Sequence, residues 1–181
     1  TGAIESTNIR QEVIELAGLA QKRDPECRGE LYQSISNLFL RDEISLSDTE
    51  KEMMCDILQR LTETVDTTIR KRLAEQLASL PDAPHDLVLL LANDQIEIAH
   101  PILQESAALL DEDLIKIVYH KTRQHQMSIA TRKMLSESVS SALVDIGNES
   151  IIVALLNNTT ARIAKGDLEG LALRSREHEC F

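Results

Sequence analysis

The residues best suited to chemistry in this chain are basic and lie in one window, 114–133. The window contains five lysine and arginine residues and no aspartate or glutamate, although the 181-residue chain has a net charge of −11. A local excess of positive charge can bind phosphate, a nucleotide or an acidic segment of a partner. The alternative is a set of solvated side chains around a helix–helix turn. The candidate ligand- or partner-binding residues are Lys116, His120, Lys121, Arg123, Arg132 and Lys133.

Metal and catalytic sites find little support in the sequence. His120 and His125 are five residues apart, with no cysteine nearby, whereas two ligands on one helical face need a spacing of four. His120 is the one histidine suited to phosphotransfer on an exposed helix. No GxSxG, P-loop or GxGxxG motif occurs, and Asp111 and Asp113 lie where a helix N-terminus favours acids. We therefore predict a noncatalytic protein with no cofactor and no metal.

The composition favours helices and an aliphatic core. Hydrophobic residues make up 43% of the chain, but aromatic residues only 2%, and strands prefer aromatic and β-branched residues. The acidic balance makes nucleic-acid binding unlikely, because such proteins are usually basic. Cys27, Cys55 and Cys180 are widely spaced, which argues against a disulfide framework and suits the cytoplasm. No apolar run approaches the length of a membrane span.

Apolar residues at helical spacing continue along the whole chain. They predict a first helix over Thr7–Gln21 and a second that starts at Asp24-Pro25 and ends near Arg41. Ser47 to Glu50 form a capping box before a third helix. The segment HDLVLLLAN is apolar on nearly all sides, which indicates a buried helix.

A short phrase recurs in the second half of this pattern. It begins at Ile69, Ile98 and Ile129, with steps of 29 and 31 residues, and a closing Asn recurs at 93 and 157. Two-helix repeats of about this length are typical of α-solenoids, in which each pair buries its apolar face against its neighbours. Because the steps are uneven, a non-repeating helical bundle is the alternative.

Several segments carry a family resemblance. LPDAPHDLVLLLANDQIEIAHPIL, LLDEDLIKI, HQMSIATR, LSESVSSALVDIGN and ALLNN, with the upstream GLAQKRDPECRGELYQSISNLFL, resemble an alphaproteobacterial family of unknown function grouped with HEAT/armadillo-type repeats. The resemblance covers most of residues 10–163. It implies a helical-repeat fold and a cytoplasmic setting, and it brings no activity and no catalytic residue.

These observations predict an all-α fold, a right-handed α-solenoid of HEAT-like helix pairs with an N-terminal helical cap. The cap covers 1–65, the repeats cover 66–165, and a C-terminal helix or tail covers 166–181, in one continuous domain. The function that best suits such a scaffold is noncatalytic protein–protein interaction or regulation, with a protein or peptide as partner and homo-oligomers left open.

Two other functions compete with this one. The first is a sensor that binds a small anionic ligand, such as a nucleotide or cyclic dinucleotide, at the basic window 114–133. The second is a nucleic-acid enzyme, since some DNA glycosylases use HEAT-like repeats, although the acidic charge and the absence of Trp oppose it. Only fold-level analogy supports either of them.

Overall fold

The computed structural model describes residues 25–39, 48–62 and 64–178. These ranges contain ten helices and no strand, so the prediction of an all-α protein is confirmed for them. The predicted helix Thr7–Gln21 and the start of the capping box at Ser47 lie outside the described residues. The helices are α1 Pro25–Phe39, α2 Asp48–Thr62, α3 Thr67–Ala78, α4 His85–Ala92, α5 Ile96–Glu105, α6 Asp111–His120, α7 Arg123–Ala130, α8 Glu137–Ile146, α9 Glu149–Asn157 and α10 Lys165–His178.

Local sequence signals explain several of the helix ends. Asp66 precedes α3, and its carboxylate accepts a hydrogen bond of 2.8 Å from the Thr68 N–H. This bond lowers the pKa of Asp66, since it favours the charged form. Ser136 caps α8 by accepting from the Val139 N–H. Gly147 ends α8 in the left-handed conformation, with φ of 71°, which a residue without Cβ adopts readily.

The chain divides into two compact units, residues 1–76 and 77–181. In the first unit, α1 packs against α2 around an aliphatic core that includes one aromatic residue. Tyr32 is fully buried, and its hydroxyl lies 3.3 Å from the Thr62 hydroxyl. The Thr62 hydroxyl also lies 2.7 Å from the Leu58 carbonyl oxygen, to which it donates. Cys55 is also buried in this core.

The second unit contains three helix pairs that contact one another in series. α4 packs on α5, α6 on α7 and α8 on α9, with short loops at 93–95, 121–122 and 147–148 between the partners. The first helices α6 and α8 contact each other, and the second helices contact in the order α5, α7, α9. The buried residues of the pairs are nearly all aliphatic, which matches a chain that contains almost no aromatic side chains.

The pairs follow one another at a shorter interval than the predicted phrase. The first helices begin at 85, 111 and 137 and the second helices at 96, 123 and 149, so each step is 26 or 27 residues. Ile98 is the third residue of α5, whereas Ile129 is the seventh of α7, so these positions are not equivalent. Asn93 follows a first helix and Asn157 ends a second helix. The recurring phrase thus indicated repetition but placed its register wrongly, because any buried helix of this chain is rich in Ile and Leu.

A turn over residues 131–136 separates α7 from α8. Met134 has a positive φ of 57° in this turn, which is uncommon for a residue with a side chain. The Ser136 cap favours a new helix start here, and that short-range signal outweighs the apolar periodicity.

None of the described helices has the length and apolar character of a membrane-crossing segment.

Candidate interaction surfaces

The basic window is divided between the two ends of α7. Lys121 and Arg123 lie at the junction of α6 and α7, whereas Arg132 and Lys133 follow the C-terminal end of α7. Since α7 has eight residues and a helix rises about 1.5 Å per residue, roughly 12 Å separates the two groups. The structure therefore does not bring the six predicted residues together at one point.

Two of these cations donate hydrogen bonds to backbone carbonyl groups of the preceding helix pair. The Lys121 ammonium donates to the Asn93 carbonyl oxygen, 2.8 Å away, at the C-terminal end of α4. The Arg132 guanidinium donates to the carbonyl oxygens of Leu103 at 2.9 Å and Ser106 at 2.5 Å, at the end of α5. Helix C-termini leave carbonyl groups without intrahelical partners and favour nearby positive charge. These residues thus act as caps supplied by the next pair.

Burial lowers the pKa of the Arg132 guanidinium, and the nearby Asp111 carboxylate partly offsets this effect. An arginine starts from so high a pKa that the group stays charged. A charged donor that is partly removed from water forms stronger hydrogen bonds than a neutral one. Arg132, which follows α7, therefore forms strong hydrogen bonds with the end of α5.

The other four predicted residues lie at the surface. Arg123 donates to the Ser150 hydroxyl at 2.5 Å, which links α7 to α9. Lys116 and His120 are exposed and lie one helical turn apart on α6, and Lys133 is exposed after α7. Of the predicted set, only Lys116 and His120 form a compact exposed pair on one helix.

The capping contact of Arg132 recurs one pair later with a different residue. The Asn158 amide donates to the carbonyl oxygens of Ala130 at 2.9 Å and Arg132 at 2.7 Å. Arg132 and Asn158 are 26 residues apart, which is the step between the helix pairs. The same place in successive pairs therefore holds a donor for the end of the preceding second helix.

A buried histidine takes part in the same type of contact. His125 is 3% exposed, and its Nε2 lies 2.9 Å from the Asp94 carbonyl oxygen in the loop after α4. Its Nδ1 lies 2.8 Å from the Thr122 hydroxyl. Both ring nitrogens have partners, so the histidine is a structural contact. It occupies the place that Ile98 has in α5 and Ile151 has in α9.

One ion pair of the second unit was not predicted from the sequence. His85 Nε2 lies 2.7 Å from the Asp113 carboxylate, which is buried and also accepts from the Leu110 N–H at 3.1 Å. The hydrogen bond to Asp113 raises the pKa of His85, although partial burial opposes this. The two residues are 28 apart, close to the step between pairs, and a correct register could have indicated their contact.

An open groove of about 650 Å³ lies between α9 and α10. Its lining is mainly aliphatic, from Ile152, Val153, Leu156 and Leu171, with Glu149 and Arg174 as its charged members. The sequence predicts no surface here, because an Ile- and Leu-rich helix is typical of a buried core element. Only the contacts of α9 show that one side of it is uncovered.

The described part of the chain has no group of three or more His, Cys, Asp or Glu side chains that could hold a metal ion.

Comparison with protein families finds one similarity. Residues 98–181 match the model of a bacterial family described as an uncharacterised protein conserved in bacteria, DUF2336. The match begins within α5 and continues through α10, so it ends later than the span of 10–163 over which a resemblance was expected, and it leaves residues 1–97 outside. Searches of curated proteins and of solved structures found no match.

Proposed function

We propose that this chain is a noncatalytic interaction module whose second unit is a right-handed α-solenoid of HEAT-like helix pairs. The observation that carries the proposal is the set of side-chain bonds between successive pairs. Lys121, Arg132 and Asn158 each reach back 26–29 residues to the end of an earlier helix. Bonds that repeat with the step of the helix pairs are what a translational stack requires. We also propose the kinship with HEAT/armadillo-type repeats of alphaproteobacteria, in a cytoplasmic setting.

The second helices offer the better surface for a partner. Side chains of neighbouring second helices and of the residue after α7 are linked by three hydrogen bonds of 2.5–2.8 Å: His100 with Ser128, Gln104 with Thr131, and Arg123 with Ser150. A partner that binds a preorganised surface loses less conformational freedom there. We therefore assign binding of a protein or peptide to the layer α5, α7 and α9.

A peptide-display selection on the immobilised chain tests this proposal. We expect enriched peptides that share a motif and bind in a saturable manner. Glu97→Arg, in the exposed first turn of α5, should weaken their binding at least about tenfold. Glu137→Arg is the matched control, because Glu137 is also exposed in a first turn but belongs to α8 in the other layer.

Three results would contradict the proposal. Selection of no common peptide would oppose an interaction surface altogether. Equal weakening by Glu97→Arg and Glu137→Arg would show that binding depends on net charge and not on the second-helix layer. A reproducible turnover, abolished by a single substitution, would replace the noncatalytic assignment.

The second candidate is the sensor of a small anionic ligand, and the exposed pair Lys116 and His120 favours it. A ligand that binds only the folded state raises the melting temperature. A nucleotide or cyclic dinucleotide should therefore give a shift that Lys116→Glu abolishes and Lys133→Glu retains. Lys121 is a poorer choice for this test than Lys116, because it caps α4. No shift with any such ligand would reject the sensor.

A further inference from the structure

Leu156 is uncovered at a place that is covered in both earlier pairs. It is the eighth residue of α9, as Ala130 is of α7 and Leu103 is of α5. Leu103 and Ala130 are fully buried, whereas Leu156 is 48% exposed. In those two pairs a further second helix follows, because α7 packs on α5 and α9 packs on α7. The groove beside α9 thus occupies the place of one more such helix.

Apolar residues of the second unit are exposed mainly on the two helices that border this groove. Seven large apolar side chains of its described residues are exposed, and four of them lie on α9 and α10: Val153, Leu156, Leu168 and Leu173. Val153 and Leu156 line the groove itself, together with Ile152 and Leu171. Single exposed apolar residues are ordinary, but a contiguous group marks an interaction surface. The remaining three are Leu110 before α6, Tyr119 on α6 and Met134 in the turn between α7 and α8.

We propose that a second copy of this chain covers the groove, with α9 and α10 of each copy packed about a twofold axis. The inference rests on the proposed solenoid, since that stack defines what the uncovered face of α9 accepts. The helices that pack on α5 and α7 belong to this chain, so a helix from a second copy of the same chain fits such a face. A twofold interface is self-complementary and is the commonest symmetry of homo-oligomers.

The charges of the groove favour such self-association. The chain has a net charge of −11, so two copies repel each other over most of their surface. The groove carries one acid, Glu149, and one base, Arg174. A twofold axis allows the acid of each copy to approach the base of the other. The patch therefore adds no net repulsion at the place where the apolar side chains meet.

Sedimentation of the full chain from about 1 µM to about 1 mM tests the proposal, because a small interface gives a weak complex. We expect a monomer–dimer equilibrium in the wild type. Leu156→Glu should weaken the dimer at least about tenfold, since it places an unpaired carboxylate in the interface. Arg174→Glu should also weaken it, by opposing Glu149. The matched control is Leu110→Glu, the same substitution at a 58% exposed leucine before α6.

Circular dichroism should show unchanged helix content for all three variants, and Leu156→Ser serves if Leu156→Glu fails to fold. A wild-type chain that stays monomeric over the whole concentration range overturns the proposal that a second copy covers the groove. The proposed function is tested separately, by peptide binding to α5, α7 and α9. A dimer that Leu156→Glu leaves intact, or that Leu110→Glu weakens equally, also overturns the proposal. Binding of another protein's helix to a strictly monomeric chain would identify a different occupant.

Discussion

α7 and α9 occupy the same place in successive helix pairs, but their surroundings differ. α7 lies between α5 and α9 and contacts both, whereas α9 contacts α7 on one side and borders an open groove on the other. α7 has the more polar sequence, RQHQMSIA, and α9 the more apolar one, ESIIVALLN. The more apolar helix is thus the less covered one.

The comparison of α7 with α9 shows that the burial of a side chain depends on its neighbours as well as on its residue type. Position eight is fully buried as Leu103 and Ala130 but half exposed as Leu156. Position three is apolar in α5 and α9 but holds the buried His125 in α7. A side chain is therefore buried when a neighbouring helix covers it and when each of its polar atoms has a hydrogen-bond partner. These two conditions decide its burial more directly than the hydropathy of its residue type.

The largest expected effect on stability comes from replacing leucine by alanine at the eighth position of α5, compared with the same replacement in α9. Leu103→Ala should lower the free energy of unfolding by roughly 2–5 kcal/mol, because it leaves a cavity in a covered core. Leu156→Ala should lower it by less than about 1 kcal/mol, since the side chain is half exposed already. Urea denaturation of dilute protein measures both values. Similar losses in the two variants would remove the distinction between covered and uncovered helices.

A smaller effect is expected from the capping contacts between pairs. Arg132→Ala should lower the free energy of unfolding by about 1.5–3 kcal/mol, because two carbonyl groups at the end of α5 lose a charged donor. Asn158→Ala, the equivalent change one pair later, should cost about 1 kcal/mol as a neutral amide. Lys133→Ala is the control at an exposed residue and should change the free energy of unfolding by no more than about 0.5 kcal/mol. A loss with Lys133→Ala as large as with Arg132→Ala would contradict the capping role.

A substitution at Ser140 is expected to increase the stability of the protein. It is fully buried in α8, and its hydroxyl has no hydrogen-bond partner, whereas the equivalent residue of α6 is Leu114. A buried polar group without a partner costs free energy, so Ser140→Ala should raise the free energy of unfolding by about 1 kcal/mol. Thermal or urea denaturation measures the gain, and Ser138→Ala is the contrasting variant, which should bring no gain because the exposed Ser138 hydroxyl donates to Asp111. Destabilisation by Ser140→Ala would indicate that the hydroxyl is bonded.

The smallest effect concerns pH and the contact between α4 and α6. The Asp113 carboxylate raises the pKa of His85 above its usual 6.5, so the protonated histidine stabilises the folded state. This contribution is fully present below pH 6.5 and is lost as the pH rises through the raised pKa. His85→Gln should remove it, so the difference in melting temperature between wild type and variant should shrink from about pH 5 to about pH 9. A difference that is constant over this range would contradict the ion pair.

The helices themselves were largely predictable from the sequence. The Pro25 start, the acids at Asp111–Asp113 and the Gly147 turn correspond to real helix boundaries, since each depends on only a few neighbouring residues. The turn at 131–136 has one such local signal, the Ser136 cap, although apolar residues continue on both sides of it. The register was missed because Ile and Leu recur in every buried helix.

The candidate surfaces were predictable only in part. The charge of window 114–133 follows from composition, but the use of Lys121 and Arg132 as caps does not, because their carbonyl partners lie 28 and 29 residues away. The groove beside α9 could not be predicted from hydropathy, since the sequence of α9 resembles that of a buried helix.

The sequence by itself determined the helical class, the aliphatic core and most helix ends, because these depend on side-chain type and on contacts within one or two turns. The tertiary structure decided the step of 26 or 27 residues, the partners of the buried cations and His125, and the uncovered side of α9. Each of these depends on which helix lies next to which, and that is set by packing between residues far apart in the chain.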